Sequence, residues 1–301
     1  MPPHEHKSPE IVQDLYPRLA AGQLSLVDLA WEQQCFHEQR RWSAMEKIAD
    51  VDLESLSSSD RHYIWNAGRA ELTTKPGADR LTRQADQECR RWQNKNPALA
   101  AIMQACGTWS RYWNEEEAHH ETTLLNLAMR MGMEPITDET FIEFRKIFPD
   151  DDMLRTLVLL SISEIIAANN YAWCAHCAQD PGLVNLFKQI AADEIQHMRY
   201  FVTFAKALVD SGEYSARQAF AVAHLFLRED GELYGSERER REQRETHVNW
   251  WDNLKKNGDI IHPDANGKKE HMVFKALHKI TGIEVNSAAE VEEKWMELVG
   301  C

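Results

Sequence analysis

Two short stretches carry side chains whose types and spacing can do chemistry: Glu116-Glu117-Ala118-His119-His120 and Asp193-Glu194-Ile195-Gln196-His197. Each sets a carboxylate and an imidazole at i and i+3, which on a helix share one face about 4.5 Å apart along the axis. Carboxylate oxygen and imidazole nitrogen together suit iron or manganese, and neither stretch offers a thiolate. Two such pairs can hold two ions. A single Glu-x-x-His carries little weight, but a further carboxylate inside an apolar segment makes the set specific. Glu164 is that carboxylate, the only charged residue between Leu157 and Asp180, within the apolar run Leu157 to Ala168. An ionised carboxylate buried without a partner is strongly unfavourable, so this position calls for a cation beside it.

Four-helix carboxylate bundles build a two-metal site from a Glu-x-x-His on each of two helices and one Glu on each of two others. For the last of these the candidate is Glu71, which shares a helical face with small Ala67 and Gly68. Glu88 is its rival, but Gln84, Arg91 and Trp92 beside it describe a partly exposed surface. The first pair has two registers, Glu116/His119 and Glu117/His120. Glu117 lies one turn from Trp113 and His120 one turn from Leu124, whereas Glu116 leads back to Tyr112 and His119 on to Thr123, Asn126 and Arg130. The apolar side faces inward, which favours Glu117 and His120. In the second pair Phe187, Ile190, Met198 and Phe201 share the face of Glu194 and His197. The expected ligands are therefore Glu71, Glu117, His120, Glu164, Glu194 and His197. Four carboxylates at −4 and two divalent ions at +4 make a neutral loaded site, while the bare set crowds like charges in low dielectric. Asp193 and Glu116, each just before a ligand Glu, are candidates to orient the imidazole of the opposite pair by hydrogen bonds.

The elements that must position these residues read as helices, and no sustained period-two alternation appears, so the class is all-α. A helical pattern runs from Pro9 to Ile48, with Ile11, Leu15, Leu19, Leu26, Leu29, Ala30, Cys35 and Met45 at three-and-four spacing. The cluster Ser57 to Asp60 caps a helix over Arg61 to Thr74, which Lys75-Pro76-Gly77 should kink or end. Further helices are expected over Ala78–Gln93, Ala98–Met131, Glu139–Ile147, Met153–Ala178, Pro181–Ser211, Ser215–Arg228, Val273–Ile280 and Ser287–Val299. Trp109, Trp113, Glu117, His120, Leu124, Leu127 and Met131 form one seam. Residues 1–8 read as a polar tail without order, 236–245 as a solvated helix face of alternating Glu and Arg, and Asn257–Lys269 as a loop. One domain over 1–301 is expected.

The chain is 43% hydrophobic, ordinary for a soluble globular protein, and its 34 Lys and Arg against 48 Asp and Glu leave −14. That balance disfavours nucleic acid and anionic membrane as partners. The apolar run at 157–168 is too short to span a bilayer and Met1–Gly22 lacks a signal peptide's core, so a cytoplasmic location is expected. The 6 cysteines do not make a disulfide framework in so long a chain. Cys174-Ala-His-Cys177 resembles a metal hook but lacks a second Cys pair, and buried thiols on a small-residue face are the simpler reading.

With these motifs in place the chain resembles the soluble acyl carrier protein desaturases, diiron members of the ferritin-like superfamily. Trp113 stands four residues before Glu117 in Glu-Glu-x-x-His, as the family's Trp does. Asp193-Glu194-Ile195-Gln196-His197 after Ile190-Ala191-Ala192 is similar to the family's second motif, and Glu164 to its lone mid-chain Glu. Glu71 with Pro76, and the ending from Thr281-Gly282-Ile283 to Gly300, are similar as well. The resemblance covers roughly residues 55–300. It implies a ferritin-like four-helix bundle core with flanking helices, two Fe ions (or Mn), and O₂ as co-substrate. It also implies an acyl carrier protein or other acyl carrier, a ferredoxin-type electron donor, a homodimer, and insertion of a cis double bond in fatty acid metabolism. Ala167 departs from the family's Thr three residues after the lone Glu, and the interval between Glu71 and Glu117 is longer than usual. An overall −14 also suits an acidic carrier poorly, although Arg80, Arg83, Arg90 and Arg91 could form a local basic patch.

The function expected is an O₂-dependent non-haem diiron oxidoreductase, because no side chain alone can remove hydrogen from an unactivated bond. Trp113, Tyr112 and Tyr171 are candidates to relay electrons, with aromatic core packing as the simpler role. The alternatives are a hydroxylase or N-oxygenase of a small metabolite, and a non-catalytic ferritin-like metal binder.

Overall fold

The computed structural model describes residues 11–71, 74–133, 152–227 and 268–299, and among these every regular element is a helix. In chain order they are α1 (Leu15–Ala20), α2 (Leu26–Arg40), α3 (Ala44–Ala49), α4 (Ser58–Glu71), α5 (Thr74–Trp92) and α6 (Pro97–Arg130), followed by α7 (Met153–Cys177), α8 (Pro181–Asp210), α9 (Ala216–Leu227), α10 (Lys268–Thr281) and α11 (Ala288–Val299). The all-α class expected from the pattern is the one observed. The tail at 1–8, the helix expected over Glu139–Ile147, the run at 236–245 and most of the loop at 257–269 lie outside the described residues.

Local chemistry sets the helix starts. Asn96 and Asp180 each accept a hydrogen bond from the backbone N–H three residues on, with Pro97 and Pro181 in the first turn, where a missing donor costs nothing. Asp152 caps α7 through Arg155 N, and Ser57 with Asp60 bond reciprocally ahead of α4. The N-terminal region differs from the single helical pattern expected. Gly22 at φ +67° and a Ser25/Asp28 capping box separate α1 from α2, and extended backbone after Arg40 precedes a Ser43 cap on α3. Met45 consequently points outward at 67% exposure, and α2 buries Leu29, Gln33, Phe36 and His37 rather than Cys35. Thr74 to Gly77 are helical, so the chain does not end its helix at Pro76 as expected; residues 72 and 73, between α4 and α5, lie outside the described residues. Met131, expected in the seam of α6, is the C-cap and only half-buried.

The core is two helix pairs. α4 and α5 lie antiparallel along α6: Ile64 and Ala67 meet the later half of α6 near Leu124 and Leu127, while Ala85 faces Gly107 in the earlier half. Ser110 Oγ also donates to Ala78 O at 2.9 Å. α7 packs along α8, joined by a tight turn, and α6 meets α8 across the middle. Gly182 lets the start of α8 approach the end of α3, because any Cβ there would collide with the Asp50 carbonyl. The N-terminal helices α1–α3 lie against α6 and α8, while α9 packs on α7, α10 on α7 and α8, and α11 on α9.

Buried apolar residues fall into two clusters. One gathers the early halves of α6 and α7 with the late half of α8, from Leu99 and Leu157 to Phe204. The other gathers the late halves of α6 and α7 with the early half of α8, from Leu124 and Tyr171 to Phe187. Between them lies a buried polar layer, Glu71, Glu117, His120, Glu164, Glu194 and His197. α7 is longer than its apolar run and by length and composition could cross a membrane, although most of it is buried inside the bundle.

Candidate metal centre

The six residues of the expected ligand set come from four helices. Glu71 is the last residue of α4, Glu117 and His120 lie mid-way along α6, Glu164 mid-way along α7, and Glu194 and His197 mid-way along α8. The structure brings all six together in two overlapping groups. Glu71, Glu117, His120 and Glu194 offer ligand atoms within 4.8 Å of one another, and so do Glu117, Glu164, Glu194 and His197. Glu117 and Glu194 belong to both.

The orientation of these two carboxylates explains the sharing. Glu117 turns Oε2 toward His120 Nδ1 at 3.5 Å and Oε1 toward His197 Nδ1 at 2.8 Å. Glu194 sets Oε1 at 3.4 Å from His120 Nδ1 and Oε2 at 3.2 Å from His197 Nδ1. Each thus presents one oxygen to each imidazole, so that either could be shared between the two ligand groups. Glu71 completes the His120 group and Glu164, at 3.8 Å from His197 Nδ1, completes the other.

The imidazoles are held from behind. His197 Nε2 donates to Glu116 Oε2 at 2.8 Å and His120 Nε2 to Asp193 Oδ2 at 3.2 Å, so each is oriented by the carboxylate preceding the ligand Glu of the opposite helix. Both Nδ1 atoms face the carboxylates of the layer, where each would be a ligand atom once its proton is displaced by a cation. His120 Nδ1 is buried and aligned with no hydrogen-bond partner, despite the two carboxylate oxygens near it. An orphaned ring nitrogen grouped with three carboxylates fits a divalent cation, which would satisfy nitrogen and oxygens together. Mixed oxygen and nitrogen donors suit iron or manganese.

Protonation shows the same demand for positive charge. Burial, then the charges of Glu117 and Glu194, push Glu71 well above the usual carboxylate range. Burial and Glu194 do the same to Glu164. Burial works against charging His120 and His197, yet the carboxylates around them raise both well above the ordinary imidazole value. Burial would also raise Glu117, but His197 and His120 hold it well below the ordinary range. On their own the side chains gather protons where two divalent ions would bring +4.

Sequence reasoning missed the strap that holds Glu116 and Asp193. Arg40, on the last turn of α2, places Nη2 2.8 Å from Glu116 Oε2 and 2.8 Å from Asp193 Oδ1. His37 Nδ1 lies 2.8 Å from Glu116 Oε1, and Trp42 Nε1 donates to Asp193 Oδ2 at 2.8 Å. The sequence signal, a basic residue pair ending α2 one turn apart, is too ordinary to point across the molecule. His119 bonds the Trp42 carbonyl at 2.9 Å, which places the alternative register on the α2–α3 connection rather than in the layer.

The remaining candidates sort as follows. Glu88 accepts from Trp92 Nε1 and Tyr214 OH, each at 2.8 Å, and joins neither ligand group. Trp113 Nε1 donates to Glu117 Oε1 at 2.8 Å, the Tyr171 hydroxyl donates to Glu71, and Tyr112 stacks on His37 with centroids 4.6 Å apart. The arginines of α5 do not form a uniform basic patch: exposed Asp79 and Asp86 are interleaved with Arg83 and Arg90, and Arg91 pairs with Glu88 at 3.2 Å. Cys174 is buried, but Cys177 is exposed, which corrects the expectation that both thiols are interior, and neither enters a metal group among the described residues.

No protein-family model, no curated protein and no solved structure matches the chain.

Proposed function

We propose that this protein is an O₂-dependent non-haem diiron oxidoreductase, and that its substrate is an acyl chain presented on a carrier. The observation that carries the metal part is the pair of ligand groups sharing Glu117 and Glu194, with both Nδ1 atoms turned inward. Glu71 and His120 would hold one ion, Glu164 and His197 the other. Two iron ions would supply the redox chemistry with dioxygen that side chains lack. The chain's own residues do the rest. Glu116 and Asp193 fix the two imidazoles, Arg40 fixes those two carboxylates, and the apolar clusters on either side of the layer exclude water.

The acyl substrate, the carrier protein, a ferredoxin-type donor, a homodimeric assembly and a role in fatty acid metabolism rest on the resemblance to acyl carrier protein desaturases. A ferritin-like core is supported by two antiparallel helix pairs with a Glu-x-x-His on one helix of each. Ala167, one turn beyond Glu164, favours a second reading, oxygenation of a small metabolite, because no hydroxyl stands there to serve the reaction.

The test is to load the protein anaerobically with Fe(II), measure bound iron, and mix with O₂ alone, with acyl carrier protein thioesters and with small aromatic amines. Two iron per chain, ferric absorption and a new double bond in the acyl product support the desaturase. An oxygenated amine moves the substrate to the second reading. Iron uptake without O₂ consumption leaves only a metal binder and refutes the oxidase.

A further inference from the structure

We infer that the outer face of α10, with Arg199 of α8 beside it, is the docking surface for an acidic electron-donor protein. The partner's role rests on the diiron reading above, while the face itself stands on charge and geometry. The chain carries −14, yet the exposed positions of α10 are Lys268, Glu270, His271, Lys275, His278 and Lys279, one carboxylate among three lysines. His271, Lys275 and Lys279 follow one another at i+4, a continuous stripe along the helix.

Lys279 ends the stripe beside α8. Partial burial, then the charge of Arg199, hold its ammonium below the ordinary lysine value, with Lys206 adding to the effect and Asp14 opposing it. Lys206 is neutralised by Asp210 at 2.5 Å and Asp14 at 3.8 Å. Arg199 donates to Gln196 Oε1 at 3.3 Å, and none of Arg199, Lys275 and Lys279 is ion-paired among the described residues. Like charges gathered without counterions destabilise the free protein, and an acidic partner relieves that repulsion.

The position of α10 favours an electron donor over an acyl carrier. Its first turns lie by α7, where Lys269 Nζ donates to Asn170 Oδ1 and Asn169 Nδ2 contacts Met272 Sδ, each at 3.3 Å. Its last turn lies by Arg199, two residues past His197. The helix therefore crosses the level of the polar layer with the α7–α8 pair between, and packed helix axes stand roughly 8–10 Å apart. Electrons can cross such packing. An acyl chain cannot, because buried Val273, Phe274, Ala276, Leu277 and Ile280 close the inner face of α10. The exposed positions of α10 include no apolar residue, which disfavours a lipid surface. In each encounter one electron leaves the donor, which is oxidised, and reduces a ferric ion, with no bond formed or broken.

The test titrates a plant-type two-iron ferredoxin, an acidic acyl carrier protein and vesicles of equal phosphatidylglycerol and phosphatidylcholine against metal-free and iron-loaded protein. Ferredoxin should bind both forms, with affinity falling steeply as salt rises. Arg199→Glu, Lys275→Glu and Lys279→Glu combined should weaken that binding about tenfold or more and flatten its salt dependence. The same variant should slow reduction of the ferric protein by reduced ferredoxin, while reduction by dithionite keeps its wild-type rate. Arg83→Glu with Arg90→Glu on α5 should change neither. Lys275→Glu alone, at an exposed position, should act in the same direction and decides the matter should the combined variant fail to fold. Equal ferredoxin binding by wild type and variant, or no ferredoxin binding, overturns the inference. So does a complex lost in the variant that forms with the carrier protein or the vesicles but not with ferredoxin. Ferredoxin binding that depends on these cations in protein that takes up no iron leaves the face standing and defeats the oxidase.

Discussion

Arg40→Gln removes the one cation that ties together the two carboxylates behind the imidazoles. A hydrogen bond to a charged group contributes about 1.5–3 kcal/mol, and Arg40 makes one to Glu116 and one to Asp193, both at 2.8 Å. Neither carboxylate is left alone. Glu116 keeps His37 and His197, and Asp193 keeps Trp42 and His120, so the loss falls short of an orphaned buried charge. The Arg40 side chain is also 13% exposed, which lets some water replace it. A net cost of about 2–4 kcal/mol follows. In a chain of this size that lowers the melting temperature of the metal-free protein by roughly 5–10 °C. Because the imidazoles lose part of their fixed orientation, Mn(II) affinity should fall about 10–100-fold. Calorimetry and a Mn(II) titration read by EPR measure the two effects. Arg41→Gln is the control: its side chain is 50% exposed and pairs with Glu115 and Glu38, contacts that contribute about 0–1 kcal/mol. If Arg40→Gln melts and binds Mn(II) as Arg41→Gln does, the strap is incidental and the orientation argument for both imidazoles fails.

Three further outcomes are expected. Glu117→Gln should lose most bound metal while Glu116→Gln retains more, and metal analysis showing the reverse assigns the ligand register to Glu116. Loading Mn(II) at neutral pH should release about two to four protons per chain, since His120 and His197 are held protonated above their usual value and Glu71 and Glu164 above theirs. Affinity should accordingly weaken as pH falls; titration calorimetry in buffers of different ionisation enthalpy that shows no proton release contradicts this. Native-state alkylation at pH 8 should label exposed Cys177 and spare Cys174, whose thiol is pushed up to about 12 chiefly by burial, and peptide mapping that finds Cys174 modified first would count against its placement.

Much of the layer was legible because its signals are local. A Glu-x-x-His names its own helical face, the seam through Trp113 and Leu124 chooses between adjacent registers, and Glu164 stands out against apolar neighbours. Helix starts were legible wherever Asn, Asp or Ser preceded Pro or an apolar turn. Arg40, His37 and Trp42 were not, because their partners lie on α6 and α8 and no periodicity links them. The division of the N-terminal pattern into α1–α3 was hidden for a related reason: three-and-four spacing survives a break when Gly22 and Ser43 fall between turns. That Pro76 lies within helix rather than ending it was not legible either, because composition alone does not separate a tolerated proline from a helix breaker.

A polar layer that splits an apolar core in two is costly to keep, and its cost separates a structural role from a metal-binding one. In the metal-free protein Glu164 gives the layer little beyond a hydrogen bond to Glu194. It sits among Leu160, Ile165 and Ala168 on α7, its burial and Glu194 oppose its ionisation, and its nearest imidazole contact is 3.8 Å away. Replacing buried polar groups with apolar side chains of similar volume is often neutral or stabilising by about 1–4 kcal/mol. Glu164→Leu should therefore melt no lower than wild type without metal, and a few degrees higher if the layer repacks. With Mn(II) the order should invert: a ligand that binds only the folded state at 100 times its dissociation constant adds about 2.7 kcal/mol. Wild type would gain that from both sites, Glu164→Leu from one at most. A large loss of metal-free stability in Glu164→Leu, with the Mn(II)-induced shift intact, would mean that Glu164 is a structural acid of the bundle and that the His197 group holds no ion.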